Sequence, residues 1–389
     1  MNQRLTRMEA IQSPVIPLIG EWVSQTPGTI SLGQGVAFYP PPPTVIEALQ
    51  RRLINQPLHQ YHSVTGLPSL IEAITQKLAQ DNQVDVSNNQ AVVVTAGANM
   101  GFLNAVLAIT QVKDEIILNT PYYFNHEMAI RIAGCEPVCV PTDDQYQPQL
   151  EALASAITPR TRAIVTISPN NPTGAIYPES TLRAVNQLCR THGIYHIHDE
   201  AYDYFAYDST PIFSPAAIAD SDNHTISLYS FSKAYGLAGW RMGYMLIPSD
   251  LLLAIKKIQD TNLICPPLAS QYAALACLAE GKSYSQQFLP EMGRCRLQLL
   301  KALASISEYC RLVTPQGAFY CFLQLRSHRP DLELVKALIE DFQVGVLPGS
   351  TFGMTHGCYL RIAYGALREE TASLGISRLV TGIKALSVK

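Results

Sequence analysis

The segment Ser230–Tyr244 has the residue types needed to hold a phosphate and to use an amine as a nucleophile. It places Lys233 beside Ser230, Ser232 and Arg241 in an apolar stretch that contains three glycines. Partial burial lowers the pKa of a lysine and favours Schiff-base chemistry. The hydroxyls and the guanidinium can hold a dianionic phosphate. Most surface lysines are solvated and inert, so it is the apolar, glycine-rich context that makes Lys233 a candidate.

A carboxylate, Asp199, closes a predicted buried strand. Burying a carboxylate is costly unless it has a cationic partner, and a pyridinium nitrogen would be one. The alternative is a metal site, because His196, His198 and Glu200 stand close by in the sequence. Successive strand residues point to opposite faces, so the two histidines share one face and Asp199 lies on the other. This favours the pyridinium interpretation over a metal.

Two further segments have polar residues in apolar surroundings. Asn171 lies in the turn Ser168–Gly174, after a predicted strand, where ligands bind in open α/β sheets; an ordinary Asn-Pro-Gly turn is the alternative. Arg361 lies inside the apolar stretch Tyr359–Ala363. A buried arginine needs an anion, which a substrate carboxylate held by two hydrogen bonds would supply. An internal ion pair would satisfy it equally well.

A third segment combines a strand, a small-residue turn and a helix. Val92–Thr95 runs into Gly97, Ala98 and Asn99, and an apolar helical pattern follows. Free amides at the start of such a helix bind phosphate. On its own this pattern is weak, because tight strand–helix turns are common, and it is not the dinucleotide-binding glycine pattern.

Composition limits the class of protein. The 389 residues carry a net charge of −3, so no basic excess exists to bind nucleic acid. Nine scattered cysteines without a C-x-x-C pair suit reduced thiols in a cytoplasmic protein, and the first residues show no signal peptide. The charge-free stretch 86–112 contains too many Asn, Gln and Gly residues for a membrane span, so it predicts a buried strand, turn and helix.

These candidates must be positioned by alternating strands and helices. Helical periodicity predicts a helix over Pro178–His192 and a long helical stretch from about Leu251 to Leu303. Short β-branched segments predict strands at Ala91–Thr95, Glu115–Leu118, Pro137–Val140, Ala163–Ile167, Tyr195–His198, Thr225–Tyr229 and Tyr244–Ile247. The alternation predicts a mostly parallel sheet with helices on both faces. Strands at Gly317–Leu323 and Tyr359–Ala363, with a helix at Leu332–Phe342 between them, predict a smaller α+β part.

In this order, the motifs resemble the class I/II aminotransferases of the fold-type I pyridoxal-phosphate family, over nearly the whole chain. Leu32–Gly35 resembles the substrate loop of that family, and Pro121–Tyr123 resembles the strand end that stacks an aromatic ring on the cofactor. The resemblance implies an α/β fold, with a three-layer αβα large domain at residues 44–290. It also implies a smaller α+β domain built from residues 1–43 and 291–389.

The resemblance also implies roles for individual residues. Lys233 would carry pyridoxal 5′-phosphate as a Schiff base and shuttle the proton, and Asp199 would keep the ring nitrogen protonated. Tyr202 and Asn171 would bind the phenolic oxygen, and Tyr123 would stack on the ring. Arg361, Asn171 and the backbone of Gly35 would bind substrate. The phosphate would be held by the turn at Gly97, Ala98 and Asn99, by Ser230, Ser232 and Arg241, and by Tyr61 from a second subunit of a homodimer.

The implied reaction is ping-pong transfer of an amino group from an L-amino acid to a 2-oxo acid. Phe38, Tyr39, Tyr122 and Tyr123 suit an uncharged or aromatic side chain, and no second arginine for a dicarboxylate is identifiable. The cofactor residues do not distinguish a transaminase from a β-lyase of the same fold. A non-catalytic ligand-sensing module is a remote third hypothesis, since too few residues precede Ser31 for a DNA-binding domain.

Overall fold

The computed structural model describes residues 6–54 and 56–386. The outermost parts of the expected smaller domain, residues 1–5 and 387–389, lie outside the described residues. The strands, numbered in chain order, are β1 (Ile30–Ser31), β2 (Gln90–Thr95), β3 (Glu115–Thr120), β4 (Glu136–Pro141), β5 (Thr161–Ile167), β6 (Tyr195–Asp199), β7 (Thr225–Ser230), β8 (Gly243–Pro248), β9 (Cys310–Leu312), β10 (Tyr320–Leu325), β11 (Val344–Gly345), β12 (Leu347–Pro348) and β13 (Cys358–Ala363).

Helices cover both ends of the described chain and separate most of the strands. They are α1 (Val15–Gln25), α2 (Pro43–Gln50), α3 (Pro68–Asn82), α4 (Ala98–Ile109), α5 (Phe124–Ile132), α6 (Leu150–Ser155), α7 (Glu179–His192), α8 (Phe231–Ala234), α9 (Leu252–Asn262), α10 (Leu268–Glu280), α11 (Ser283–Gln286), α12 (Leu289–Ala304), α13 (Asp331–Phe342) and α14 (Glu369–Leu386).

Seven strands form the large sheet, in the order β2-β8-β7-β6-β5-β3-β4. All are parallel except β8, which runs antiparallel to both of its neighbours. Both faces are covered: Ile116 packs in one apolar cluster and its neighbour Ile117 in another, and both are fully buried. This is the three-layer, mostly parallel architecture that the alternating sequence pattern predicts.

The seven strands predicted for this sheet are confirmed, each within two residues of its observed ends. The charge-free stretch 86–112 forms β2 and α4, as expected for a buried strand, turn and helix. None of the helices in the described part of the chain combines the length and the hydropathy that crossing a membrane requires.

The long helical stretch predicted from about Leu251 to Leu303 is helical over most of its length but is not one continuous helix. The chain instead forms four helices, α9 to α12, with breaks near Pro266, Gly281 and Pro290. Proline lacks the amide hydrogen that a helix interior needs, and Gly281 adopts a left-handed φ of 67°. The apolar periodicity continues across these breaks, which is why periodicity alone missed them.

A second sheet forms from the C-terminal part, with four antiparallel strands in the order β12-β13-β10-β9. Its strand β10 begins three residues later than the predicted Gly317, because Ala318 has a left-handed φ of 52°. A separate pair joins β1 to β11, with Ile30 opposite Val344. This pair attaches the segment that contains Gly33 and Gly35 to the C-terminal part of the chain.

The turn that carries Asn171 ends at Gly174, which has a φ of 73°. Its carbonyl accepts hydrogen bonds of 2.8 Å from the amides of Gln316 and Gly317. A Cβ at this position would lie 2.6 Å from the Tyr320 carbonyl oxygen. The turn is therefore pressed against the strand that leads into the second sheet.

We expect Gly174→Ala to lower the free energy of unfolding by about 3 kcal/mol, because left-handed strain adds to overpacking. Gly193→Ala is the matched control: Gly193 has a φ of 63°, but a Cβ there would meet none of the described atoms beyond its own turn within 4 Å. This change should cost only about 1 kcal/mol of left-handed strain. Urea unfolding of both variants measures the difference. Equal losses would contradict the packing argument.

Candidate active site

A cavity of about 250 Å³ lies where the carboxyl ends of the parallel strands meet. Asp199 ends β6, Ser230 ends β7, and Asn171 follows β5 in the next turn. Parallel strands bring these ends to one edge of the sheet, where α/β proteins bind ligands. The cavity is lined by Ile16, Gln34, Gly35, Val36, Ala98, Asn99, Tyr123, Phe124, Asn125, Ile167, Asn171, Asp199, Ala201, Tyr202, Ser230, Ser232, Lys233, Arg241, Tyr320 and Arg361.

The amine of Lys233 projects into this cavity from the short helix α8. Its Nζ donates a hydrogen bond of 2.5 Å to the carbonyl of Gly35. Burial, together with the positive charges of Arg361 and Arg241, lowers the pKa of Lys233 to about 8, against an opposing effect of Asp199. A large fraction of the amine is therefore neutral at slightly alkaline pH and able to act as a nucleophile.

The carboxylate of Asp199 is buried and faces an imidazole. Its Oδ2 lies 3.1 Å from Nε2 of His126, and its Oδ1 accepts a hydrogen bond of 3.0 Å from the Ala201 amide. His126 is buried and stacks on Phe102. Sequence reasoning did not place His126 in the site. Its proximity to Asp199 depends on how α5 packs, which no local motif shows.

The histidines of β6 turn away from Asp199. Nε2 of His196 and Nδ1 of His198 lie 2.7 and 2.6 Å from the Thr166 hydroxyl. Burial lowers the pKa of His196 to about 3, so this histidine stays neutral. The three side chains therefore do not converge, and within the described residues no group of three or more potential metal ligands occurs.

One end of the cavity presents groups suited to an anion. Ala98 and Asn99 begin α4, where the first amides have no acceptor within the helix. Arg241 lies beside them, and its Nη1 donates to the Ala238 carbonyl at 2.8 Å. Gly97 does not itself line the cavity, but a Cβ at that position would collide with the guanidinium of Arg241. Glycine is therefore required there for Arg241 to reach the cavity.

Two serines complete this end of the cavity. Ser230 caps the short helix α8, and its hydroxyl accepts a hydrogen bond of 3.1 Å from the amide of Ser232. Both serines line the cavity with Arg241. Hydroxyls, helix amides and a guanidinium are the donors that a phosphate dianion accepts from.

Arg361 is buried without a carboxylate partner in the described part of the chain. Its Nη1 donates to Asn171 Oδ1 at 3.0 Å, and its Nη2 donates to the Gly33 carbonyl at 2.7 Å. Its Nε has no hydrogen-bond partner among the described residues. The internal ion pair considered from sequence is therefore not what these contacts show. A guanidinium bonded only to neutral acceptors retains its full charge for an anionic ligand.

The aromatic residues expected in the site divide into two groups. Tyr123 and Tyr202 line the cavity; the Tyr202 hydroxyl lies 2.7 Å from the hydroxyl of Tyr320, and Asn125 donates to the Tyr123 hydroxyl at 2.8 Å. Tyr61 lies outside the cavity and is 79% exposed. Three further aromatic residues that the sequence suggested for the substrate pocket do not line it either: Phe38, Tyr39 and Tyr122. Sequence reasoning left Tyr320 out of the site because the strand pairing of β10 brings it there.

The donor set fits one particular cofactor. A single cavity is lined by hydrogen-bond donors for a dianion, an amine with a lowered pKa and a buried carboxylate. The donors suit the phosphate of pyridoxal 5′-phosphate, the amine suits its aldehyde, and the carboxylate suits its ring nitrogen. Asp199 has no lysine or arginine within ion-pair distance in the described structure, so it can serve a pyridinium. The fold and the site together define a pyridoxal-phosphate enzyme of fold type I.

Comparison with known proteins identifies the family. Residues 27–379 match the family described as aminotransferase class I and II, and the chain belongs to it. The chain is 35% identical to a probable aspartate/prephenate aminotransferase of Aquifex aeolicus (strain VF5), over 92% of this chain and 91% of that protein. It is 31% identical to an aromatic aminotransferase of Arabidopsis thaliana, over 96% of this chain and 94% of that protein.

Solved structures agree. An aspartate aminotransferase of Thermus thermophilus, solved as a single mutant, has a TM-score of 0.90 and 28% identity, with 98% of this chain and all of that chain covered. An aromatic aminotransferase of Pyrococcus horikoshii OT3 has a TM-score of 0.87 and 30% identity, with 94% and 99% covered. The chain is a pyridoxal-phosphate-dependent aminotransferase, and the comparisons do not favour a β-lyase.

The depressed pKa of Lys233 leads to a prediction for the cofactor-free protein. Only the neutral amine can attack the aldehyde, so the rate of recombination with pyridoxal phosphate should rise with pH and level off above a midpoint of about 8. Arg361→Gln removes a nearby positive charge and should move the midpoint to higher pH. Arg311→Gln, which changes an exposed arginine paired with Asp144, is the control and should leave it in place. A midpoint near 10.5 in the unaltered protein would refute the assigned burial of Lys233.

Proposed function

We propose that this aminotransferase takes the amino group from an L-amino acid with an uncharged, preferably aromatic, side chain and gives it to a 2-oxo acid in a ping-pong reaction. The observation that carries the proposal is Arg361, a buried guanidinium with only neutral acceptors in the described chain. The α-carboxylate shared by all amino acids and 2-oxo acids supplies the missing anion.

The remaining lining indicates the side chain. Three cations line the cavity, Lys233, Arg241 and Arg361, and each already has a role in binding the cofactor or the α-carboxylate. No further cation in the described lining is left for a second carboxylate. Ile16, Val36 and Phe124 add apolar surface on which an uncharged side chain can pack. Relatives are named for aspartate, prephenate and aromatic substrates; this lining favours the aromatic class.

Each site residue then has a physical task. When bound, the cofactor supplies an electron-accepting ring that stabilises negative charge on the substrate α-carbon. Asp199 would keep the ring nitrogen protonated, since a buried carboxylate favours a cation beside it. Tyr202 and Asn171 line the cavity where they would hold the phenolic oxygen, and Tyr123 would pack on the ring face.

Proton movement at the substrate depends on Lys233. Because burial lowers its pKa, Nζ of Lys233 is suited to accept the α-proton and release it again. Gly35, whose carbonyl accepts from Lys233, lines the substrate side of the cavity through its backbone. The phosphate would be held by Ala98, Asn99, Ser230, Ser232 and Arg241, with Gly97 making room for the arginine.

Single-turnover spectroscopy tests this function. Adding phenylalanine, tyrosine or methionine without a 2-oxo acid should move the visible absorbance of the bound cofactor to the near-ultraviolet. Aspartate should react at least about tenfold more slowly, because a second carboxylate would be buried unpaired. Lys233→Ala should abolish the change, and Lys256→Ala, at an exposed lysine, should not. Faster conversion of aspartate would overturn the substrate class, and full activity of Lys233→Ala would overturn the mechanism.

The two domains expected from the sequence are part of the same proposal. Residues 44–290 would form the cofactor-binding domain, with Lys233 and Asp199. Residues 1–43 and 291–389 would form the smaller domain, with Gly35 and Arg361. A cytoplasmic location is part of the same proposal, because all nine cysteines are free thiols.

We further propose a homodimer in which Tyr61 reaches the phosphate of the partner subunit. Tyr61 is 79% exposed, and Leu53 and Ile54 in the same segment are 54% and 89% exposed. Large apolar side chains grouped in this way are typical of surfaces that bind another protein. A second copy of the chain would cover them and bring a hydroxyl to a phosphate that the first copy holds.

Subunit complementation tests this arrangement. Tyr61→Ala and Lys233→Ala homodimers should both have low activity. In a mixed dimer, the Lys233→Ala subunit supplies an intact Tyr61 to a partner with an intact Lys233, so one complete site forms. Unfolding and refolding the two variants together should therefore restore activity that neither regains alone. A mixture no more active than its components would show that Tyr61 does not serve the neighbouring site.

A further inference from the structure

Tyr320 contacts three separate parts of the site at once. Its hydroxyl lies 2.7 Å from the Tyr202 hydroxyl, and its ring lies under the guanidinium of Arg361, 4.5 Å from carbon to ring centre. A Cβ at Gly35 would lie 2.6 Å from its hydroxyl oxygen. Tyr320 thus touches the residue assigned to the phenolic oxygen, the residue assigned to the carboxylate, and the substrate loop.

The paired hydroxyls control where the proton of Tyr202 points. Each tyrosine hydroxyl has one proton to donate and can accept at its oxygen. If Tyr202 is to donate into the cavity, Tyr320 must be the donor of the bond between them. A hydroxyl that accepts one hydrogen bond becomes a better donor of the next. Burial raises the pKa of both phenols, so both protons are retained across the working pH range.

The ring of Tyr320 performs a different task for Arg361. In the second sheet, Tyr320 pairs with Ala363 and Phe322 pairs with Arg361. This register places the ring of Tyr320 on one side of the guanidinium, while the ring of Phe352 lies 5.0 Å away. Aromatic faces attract a desolvated cation without neutralising it. The guanidinium is held in place and keeps its charge for a carboxylate.

We propose that Tyr320 is a positioning residue for transamination: its hydroxyl directs the Tyr202 proton into the cavity, and its ring holds Arg361 for the substrate carboxylate. The proposal rests on the function assigned above. The two tasks reside in different atoms of one side chain, so they can be separated by substitution.

Two substitutions separate the tasks in the holoenzyme. Tyr320→Phe removes the hydroxyl and keeps the ring. We expect kcat to fall about threefold to tenfold, as for loss of one neutral hydrogen bond, with KM within twofold. The pH midpoint of the visible absorbance of the bound cofactor should move upward. Without the Tyr320 hydroxyl, Tyr202 would be a weaker hydrogen-bond donor to the phenolic oxygen of the cofactor, so the deprotonated form of the cofactor would be stabilised less. Tyr320→Leu removes the ring too and should raise KM about tenfold in addition.

Equilibrium binding gives a readout that needs no turnover. The dissociation constant of 3-phenylpropanoate, a carboxylate without an amine, should be unchanged in Tyr320→Phe and raised about tenfold in Tyr320→Leu. Tyr207→Phe is the matched control, because Tyr207 is a buried tyrosine that donates to the Ala318 carbonyl at 2.8 Å and does not line the cavity. It should lower the melting temperature as much as Tyr320→Phe without moving the absorbance midpoint.

A Tyr320→Phe enzyme with an unchanged absorbance midpoint and kcat within twofold of the unaltered protein would refute the positioning role. A Tyr207→Phe enzyme with the same shift would refute it too, since the effect would then be structural. The absorbance and carboxylate measurements test Tyr320 even if none of the amino acids is converted. Failure of the unaltered protein to convert any of them would instead refute the proposed function.

Discussion

An excess of positive charge around one cavity is the constraint on which this site depends. Lys233, Arg241 and Arg361 line one cavity, and Asp199 is the single carboxylate among the described lining residues. Like charges close together in a region of low polarity repel one another and disfavour their charged forms. The protein lowers this electrostatic cost by surrounding the cations with carbonyl oxygens, the side-chain amide of Asn171 and aromatic rings. Of the three cations, the lysine loses its proton most readily. The cavity is thereby prepared for two anions, a phosphate and a carboxylate.

The hydrogen-bond acceptors for these cations come from segments that are distant in the sequence. The acceptors for Arg361 come from the turn after β5 and from the loop after β1, and the acceptor for Lys233 is in that same loop. Carbonyl oxygens accept hydrogen bonds from a cation and leave its charge in place, whereas a carboxylate would neutralise that charge. A backbone loop between the two sheets therefore serves this site better than an acidic side chain.

Sequence patterns predicted the parts of this arrangement that are local. Strand ends followed by polar residues identified Asp199 and Asn171, and a glycine-rich segment identified Lys233. Alternating β-branched and helical segments predicted the large sheet and its strands. Local patterns failed where tertiary packing decides the outcome. His126 reaches Asp199 because of how α5 packs, and Tyr320 reaches Tyr202 because of the pairing of β10 with β13. Neither residue lies in a sequence motif that predicts its contact.

The pairing of β1 with β11 has a consequence for how the protein is made. Ile30 leaves the ribosome more than three hundred residues before Val344, its partner in the sheet, and Gly33 precedes its hydrogen-bond donor Arg361 by a still longer interval. Domains generally fold as units during synthesis, N-terminal parts first. Here the substrate loop is synthesised long before β11 and Arg361, so its contacts with them can form only after the strands of the large sheet have been synthesised. The finished catalytic pocket is thus a late product of translation, because a chain that stops before β13 still lacks Arg361, the residue assigned to the substrate carboxylate.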